Sequence, residues 1–272
     1  MYKFINILVL GEKNGMAYVK QYVGFLDLLG FKEAVKNASQ EEIGGLFALQ
    51  SDMINFIEKI LNKHAPNRKD MKIFAFSDSV IFLYPENCGE AMLQDIMNLQ
   101  ICLASYGWFF RGGIKFGEVS YFNAHNSGIY VYGPAFVYAY SLESDKNKNK
   151  YTPAIIFERD TYEEICKESN AKFVSDYIKF DGIKNLYYLD YFKYTDAFYL
   201  RHNEIKQEIE CNLRKFSNND DIRRKYVWLA GAFNSALPYV NAQINSYSKI
   251  NISETLKNYG MGVPQQLRPI LY

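Results

Sequence analysis

Two acidic residues sit where apolar side chains are expected. Asp27 follows the run Val23-Gly24-Phe25-Leu26 and precedes Leu28-Leu29-Gly30-Phe31. The run reads as a buried strand, and Gly30 lets the chain turn sharply into a helix. A carboxylate at a strand end suits a hard divalent cation, while free amides at a helix start suit phosphate. Asp78 lies in the triplet Ser77-Asp78-Ser79, between Lys72-Ile73-Phe74-Ala75-Phe76 and Val80-Ile81-Phe82-Leu83-Tyr84. That pattern predicts a β-hairpin with an acid at its tip. A carboxylate between buried strands is costly unless another charge meets it. A divalent metal shared by Asp27 and Asp78 would stabilise both, and two such acids on adjacent strands suit two ions on a nucleoside triphosphate. The plain alternative is a capped turn at each place.

The elements that must position these acids follow from periodicity. Residues 19–27 read as the first core strand, with a helix from about Phe31. Lys32 stands beside the turn, as a phosphate contact or a solvated lysine. Ser39-Gln40-Glu41-Glu42 is a capping-box pattern, opening a helix with Ile43, Phe47, Ile54, Ile57 and Leu61 at helical spacing until Pro66. A helix is expected over about 90–106, then a strand over 108–119 and a polar loop over 120–128. Next come a helix over 133–144, a solvated turn over 145–150, a strand over 153–157 and a helix over 161–168. Lys172-Phe173-Val174 and Leu186-Tyr187-Tyr188-Leu189 read as two further strands. Helices over 202–216 and 221–245 complete the chain, the second kinked or ended by Pro238. Its basic cluster, Arg223-Arg224-Lys225, reads more readily as a solvated face than as a phosphate site.

Composition narrows the function classes. The formal net charge of the 272-residue chain is +1, which argues against nucleic acid or an anionic membrane as the main partner. The apolar run Ile5–Leu10 is too short to span a bilayer and reads as an added edge strand or an artefact of an upstream start. Cys88, Cys102, Cys166 and Cys211 form no C-x-x-C pair, so zinc is not expected, and reduced buried thiols in a cytoplasm are the default. His64, His125 and His202 are far apart and read as surface or loop residues. The 23 Tyr and 20 Phe belong mostly to core and interface, some to a base pocket. No internal repeat appears.

Four stretches together resemble the class III nucleotidyl cyclases. Phe25-Leu26-Asp27-Leu28-Leu29-Gly30-Phe31 is similar to the family's F-x-D-x-x-G-F signature, and Ser77-Asp78 to its second metal-binding Gly-Asp. Arg111-Gly112-Gly113-Ile114-Lys115-Phe116-Gly117-Glu118-Val119 resembles R-x-G-I-x-x-G-x-V. Residues 133–144, from Gly133 to Ser144, resemble G-x-x-V-N-x-A-x-R-x-E-S. Order and spacing agree over about residues 19–160.

The resemblance implies an α/β (α+β) ferredoxin-type core, a mostly antiparallel sheet flanked by helices, with a C-terminal helical extension. It implies an N-terminal extension over 1–18, a cyclase domain over 19–195 and the extension over 196–272. Asp27, Asp78 and the Leu28 carbonyl would hold two Mn²⁺ or Mg²⁺ ions, and the amides of Leu28, Leu29, Gly30 and Phe31 would cradle the phosphates. Phe25 and Phe74 would join the nucleotide site. Arg111 would reach the triphosphate or brace the first metal loop, with bracing slightly preferred.

The departures carry their own implication. Phe74 stands where purine cyclases carry a base-reading Lys, and Tyr130 where they carry its partner Asp. Val137 and Ser141 replace the catalytic Asn and Arg, and Glu118 replaces a phosphate-binding Arg of animal cyclases. Tyr138 and Tyr130 are candidates for the missing role. The pattern resembles the pyrimidine cyclases of bacterial Pycsar anti-phage systems. That resemblance implies UTP or CTP as substrate, with UTP favoured, a homodimer with composite sites and a product read by a separate effector. The alternatives are a purine cyclase, a non-catalytic dimerisation or nucleotide-sensing module, and an unrelated two-metal nucleotidyl-transfer enzyme.

Overall fold

Strand β1 (Val19–Leu28) shows how the sheet is built. Its even residues Tyr22, Leu26 and Leu28 enter one hydrophobic core, and its odd residues Val23 and Phe25 enter another. A strand presents alternate residues to opposite faces, so a run apolar at both parities must be covered on both sides. The computed structural model describes residues 17–64, 70–123, 129–194, 201–249 and 266–272. The expected edge strand Ile5–Leu10, Pro66 and His125 lie outside the described residues.

After β1 come α1 (Phe31–Asn37), α2 (Gln40–His64), β2 (Lys72–Phe76), β3 (Ser79–Pro85), α3 (Gly89–Ala104) and β4 (Phe110–Asn123). β5 (Ile129–Tyr132), α4 (Pro134–Ser144), α5 (Lys146–Asn149), β6 (Ile155–Phe157), α6 (Arg159–Glu168) and α7 (Ala171–Tyr177) follow. The chain continues through β7 (Ile178–Asp181), β8 (Leu186–Leu189), α8 (His202–Lys215) and α9 (Asp220–Lys249). The strand order is β2-β3-β1-β4-β6-β8-β7, with β5 paired to β4. All pairings are antiparallel except β4 with β6. The β1-α-β2-β3-α-β4 succession with order 2-3-1-4 is the ferredoxin-type arrangement. The fold is thus α+β, with a mostly antiparallel sheet flanked by helices, as expected.

Local chemistry sets several boundaries. Ser39 and Glu42 cap α2 reciprocally: the Ser39 amide donates to Glu42 Oε2 at 2.7 Å, and the Glu42 amide donates to Ser39 Oγ at 3.2 Å. Gly30 takes φ 79°, which an L side chain resists, and its carbonyl accepts from Glu33 and Ala34 at 3.0 Å each. One core face joins β1, β3 and β4 to α2, α3, α8 and α9. The smaller cluster, with Val23, Phe25, Leu83 and Val119, is covered by Ala135 and Ala139 of α4.

Several sequence expectations change. Lys172-Phe173-Val174 is not a strand but part of α7. Asn170 caps that helix by accepting from the Lys172 amide at 2.8 Å, and Phe173 and Tyr177 bury themselves four residues apart. The loop expected over 120–128 instead contains the end of β4 and leads into β5, because Ser120–Asn123 pair with Ile129–Tyr132. The solvated turn over 145–150 contains the single turn α5, capped by Asp145. α9 passes through Pro238 without ending there. His202 is buried, and its Nε2 lies 2.8 Å from the Phe192 carbonyl oxygen. Of the cysteines only Cys102 is buried; Cys166 and Cys211 are exposed because α6 and α8 turn Ile165 and Ile209 inward instead.

Candidate functional site

β1 and the β2–β3 hairpin converge at the ends that carry the acids. Asp27 pairs in register with Ser79 of β3 and with Arg111 of β4. The Leu28 amide donates to the Asp78 carbonyl at 2.9 Å, so the two acidic stretches are joined through the backbone. Asp27 and Asp78 are both partly exposed. Ser77 adopts φ 54°, which turns the hairpin at its tip.

Arg111 ties the site to α4. It lies 2.6 Å from Glu143 and 3.5 Å from Asp27, closest to the buried Glu143 carboxylate. Arg111 thus bridges the end of β1 and the buried acid of α4. Gly113 permits it: a Cβ there would collide with the Ala139 carbonyl oxygen and stand 2.5 Å from Leu142 Cβ, so α4 could not lie so close to β4. Glu143 was not singled out in sequence, although it occupies the Glu of the later helix motif. An acid within an otherwise apolar helical face, four residues from Ala139, was the signal.

The electrostatics are dominated by carboxylates. Burial pushes the Asp27 carboxyl up to about 7; Glu143 and Asp78 add to the rise, and Arg111 opposes it. Burial also raises Glu143, against the pull of Arg111. Two acids, Asp27 and Glu143, therefore share one guanidinium, with Asp78 near enough to raise both, and the surplus negative charge suits a divalent cation. The oxygen donors Asp27 and Asp78 fit Mg²⁺ or Mn²⁺. Among the described residues no group of three or more His, Cys, Asp or Glu side chains forms a ready-made metal cage. Two protein carboxylates leave most coordination positions to substrate oxygens and water, which is usual for Mg²⁺ on phosphates.

The other expected site residues are placed as follows. The amides of Leu28 and Leu29 are engaged by the Asp78 and Phe109 carbonyls, at 2.9 and 2.7 Å. The expected four-amide phosphate cradle is thereby reduced to Gly30 and Phe31. Phe25 packs edge-on to Tyr140 at 5.2 Å and to Phe136 at 6.1 Å. Phe74 lies on β2, with Tyr121 at 6.1 Å, beside the cluster that contains Phe25. Lys32 and Glu118 are exposed. Val137 is 63% exposed, and Tyr140 and Ser141 share that outer face of α4. Tyr130 stacks on Phe122 at 4.9 Å, whereas Tyr138 donates to Glu158, beneath Lys115.

Parts of the chain are similar to several solved cyclases. An adenylyl cyclase from P. aeruginosa, CyaB, is 17% identical, with a TM-score of 0.43, over 64% of this chain and 96% of that chain. A double mutant of the guanylyl cyclase domain of the RhoGC fusion protein from the aquatic fungus Blastocladiella emersonii is 16% identical, with a TM-score of 0.45, over 63% and 93%. A bacterial light-regulated adenylyl cyclase is 17% identical, with a TM-score of 0.41, over 57% of this chain, which spans about half (46%) of that one. No family model and no curated protein matches the chain. Among the described residues, no helix is long and apolar enough to cross a membrane.

Proposed function

We propose that the chain is a class III-type nucleotide cyclase acting on a pyrimidine nucleoside triphosphate, with UTP favoured over CTP. The observation that carries the reading is the backbone-joined pair of strand ends bearing Asp27 and Asp78, beside a triad with more acid than base. In the proposed reaction the ribose 3′-oxygen attacks the α-phosphorus of the same nucleotide and pyrophosphate leaves. Two Mn²⁺ or Mg²⁺ ions, when bound, supply the charge that lowers the 3′-hydroxyl pKa and neutralises the leaving group.

The chain's own residues do the positioning. Asp27, Asp78 and the Leu28 carbonyl hold the ions. Arg111 pins Glu143 and keeps it from competing for them. The amides of Gly30 and Phe31 face the phosphates. Phe74 takes the place of a base-reading cation and narrows the base pocket toward a pyrimidine. The exposed outer face of α4, with Val137, Tyr140 and Ser141, is offered to a second copy, so that each site is completed across a homodimer. The resemblance further supports a cytoplasmic enzyme of antiviral defence, whose cyclic product is read by a separate effector protein.

The test is turnover of the purified protein with each of the four nucleoside triphosphates in Mn²⁺, with products resolved by chromatography. The expected result is a cyclic pyrimidine nucleotide, reduced by at least about 10²- to 10³-fold in Asp78→Ala. A cyclic purine product would overturn the base assignment. No product from any nucleotide would favour the non-catalytic reading, which Val137 and Ser141 support.

A further inference from the structure

The proposed reaction leaves the basic cluster of α9 unused. A cavity of about 570 Å³ is lined by Arg111 and Glu143 of the site, by Lys150 and Tyr151, and by Asp221 and Lys225 of α9. Most of these charges are already answered. Arg111 holds Glu143 at 2.6 Å, Lys150 lies 3.8 Å from Asp221, and the Tyr151 hydroxyl donates to Asp221 at 2.8 Å.

Lys225 differs. It is half-buried and forms no ion pair or hydrogen bond among the described residues. Burial and Arg111 pull its ammonium pKa down, while Asp221, Asp27 and Glu143 pull it up, so it lies in the field of the site. An ammonium held partly out of water without a close counter-charge is costly, and an arriving anion removes that cost. Arg111 also keeps a spare donor: its Nε is buried with no hydrogen-bond partner among the described residues.

The helix that carries Lys225 is firmly seated. Tyr226, Leu229, Ala230 and Phe233 are buried in the main core, with Tyr226 edge-on to Phe109 at 6.0 Å. Asp221, Lys225 and Trp228 recur at helical spacing on a neighbouring face, and Trp228 meets Tyr188 at 5.7 Å. The apolar face thus fixes where the lysine is presented.

We infer that Lys225 and Arg111 form a polyphosphate-binding site in this cavity, which takes the β- and γ-phosphates of the substrate and then the departing pyrophosphate. This rests on the cyclase reading and extends it, making α9 a contributor to the site within the same chain.

The test is calorimetric binding of inorganic pyrophosphate, in Mn²⁺, to the full chain and to Lys225→Ala, Lys225→Met and Lys225→Arg. Lys225→Met keeps the packing of the side-chain stem, so a loss shared by Ala and Met reports the charge. The expected result is affinity weakened about tenfold or more in Ala and Met, and largely kept in Arg, with unchanged unfolding temperature. The KM for the triphosphate should rise in parallel, while affinity for the nucleoside monophosphate should not move. Pyrophosphate affinity within about twofold of the parent in both Ala and Met would overturn the site, even if cyclic product is made. Lys225-dependent pyrophosphate binding without cyclic product from any nucleotide would overturn the cyclase reading and leave the site standing.

Discussion

On the face of the sheet that carries Tyr22, Leu26 and Leu28, the neighbours include Phe82, Ile96, Phe109 and Phe110, all essentially inaccessible. On the opposite face, Val23 and Phe25 lead into Asp27, Arg111 and Glu143, and the covering helix α4 keeps Val137 and Tyr140 in solvent. The same strands serve both faces, so backbone pairing does not separate them. What differs is what covers each: several long helices on one side, the short α4 and one edge of α9 on the other. The first face buries enough apolar surface to drive folding. The second leaves room for charge and for ligand.

That contrast can be broken from either side. The largest stability effect belongs to the closed face: Phe82→Ala should cost about 3–5 kcal/mol in chemical denaturation. A loss under about 1 kcal/mol would mean that face is not close-packed. On the open face, Arg111→Ala strands the buried Glu143 carboxylate and should cost roughly 2–4 kcal/mol, the lower end reflecting the partial exposure of Arg111. The double variant Arg111→Ala with Glu143→Gln should recover part of that loss, and additive losses would deny the pairing.

Asp190 sharpens the comparison because it is a buried acid among residues of the closed face. Burial lifts its carboxyl from the usual 3.8 up to about 6, and its Oδ1 has no hydrogen-bond partner among the described residues. The folded state therefore holds a proton that the unfolded chain releases, and stability should fall as pH rises from 3.8 to about 6. Asp190→Asn should reduce that slope, leaving the share that Asp27 and Glu143 contribute, and raise stability at pH 8 by roughly 1–3 kcal/mol. An unchanged pH profile would sink this assignment. The smallest expected effect is specificity: Phe74→Lys should lower kcat/KM for the pyrimidine triphosphate by about tenfold. Full retention would remove Phe74 from the base pocket.

The acids of the site were legible because each breaks a local apolar pattern at a turn. The Ser39–Glu42 cap and the Gly30 turn were legible for a similar reason, since backbone hydrogen bonding and φ are decided within a few residues. Lys172-Phe173-Val174 was not, because its apolar spacing fits a strand as well as a helix, and Asn170 together with the burial of Phe173 and Tyr177 decided the matter. In the basic cluster Arg224 is exposed, as the solvated reading expects, while Lys225 is half-buried against a cavity. Sequence shows that a helix carries these charges but not which of them meets a distant wall.

Sequence by itself therefore determined the strand that ends in Asp27, the hairpin that presents Asp78 and the helix that carries Lys225, because each depends on neighbours along the chain. Only the tertiary structure decided that Glu143 would hold Arg111, that two of the four turn amides would be engaged by other carbonyls, and that Lys225 would line one cavity with Arg111. Those outcomes depend on how α4, α9 and the neighbouring strands meet, and contacts between residues distant in the chain leave no local pattern to read.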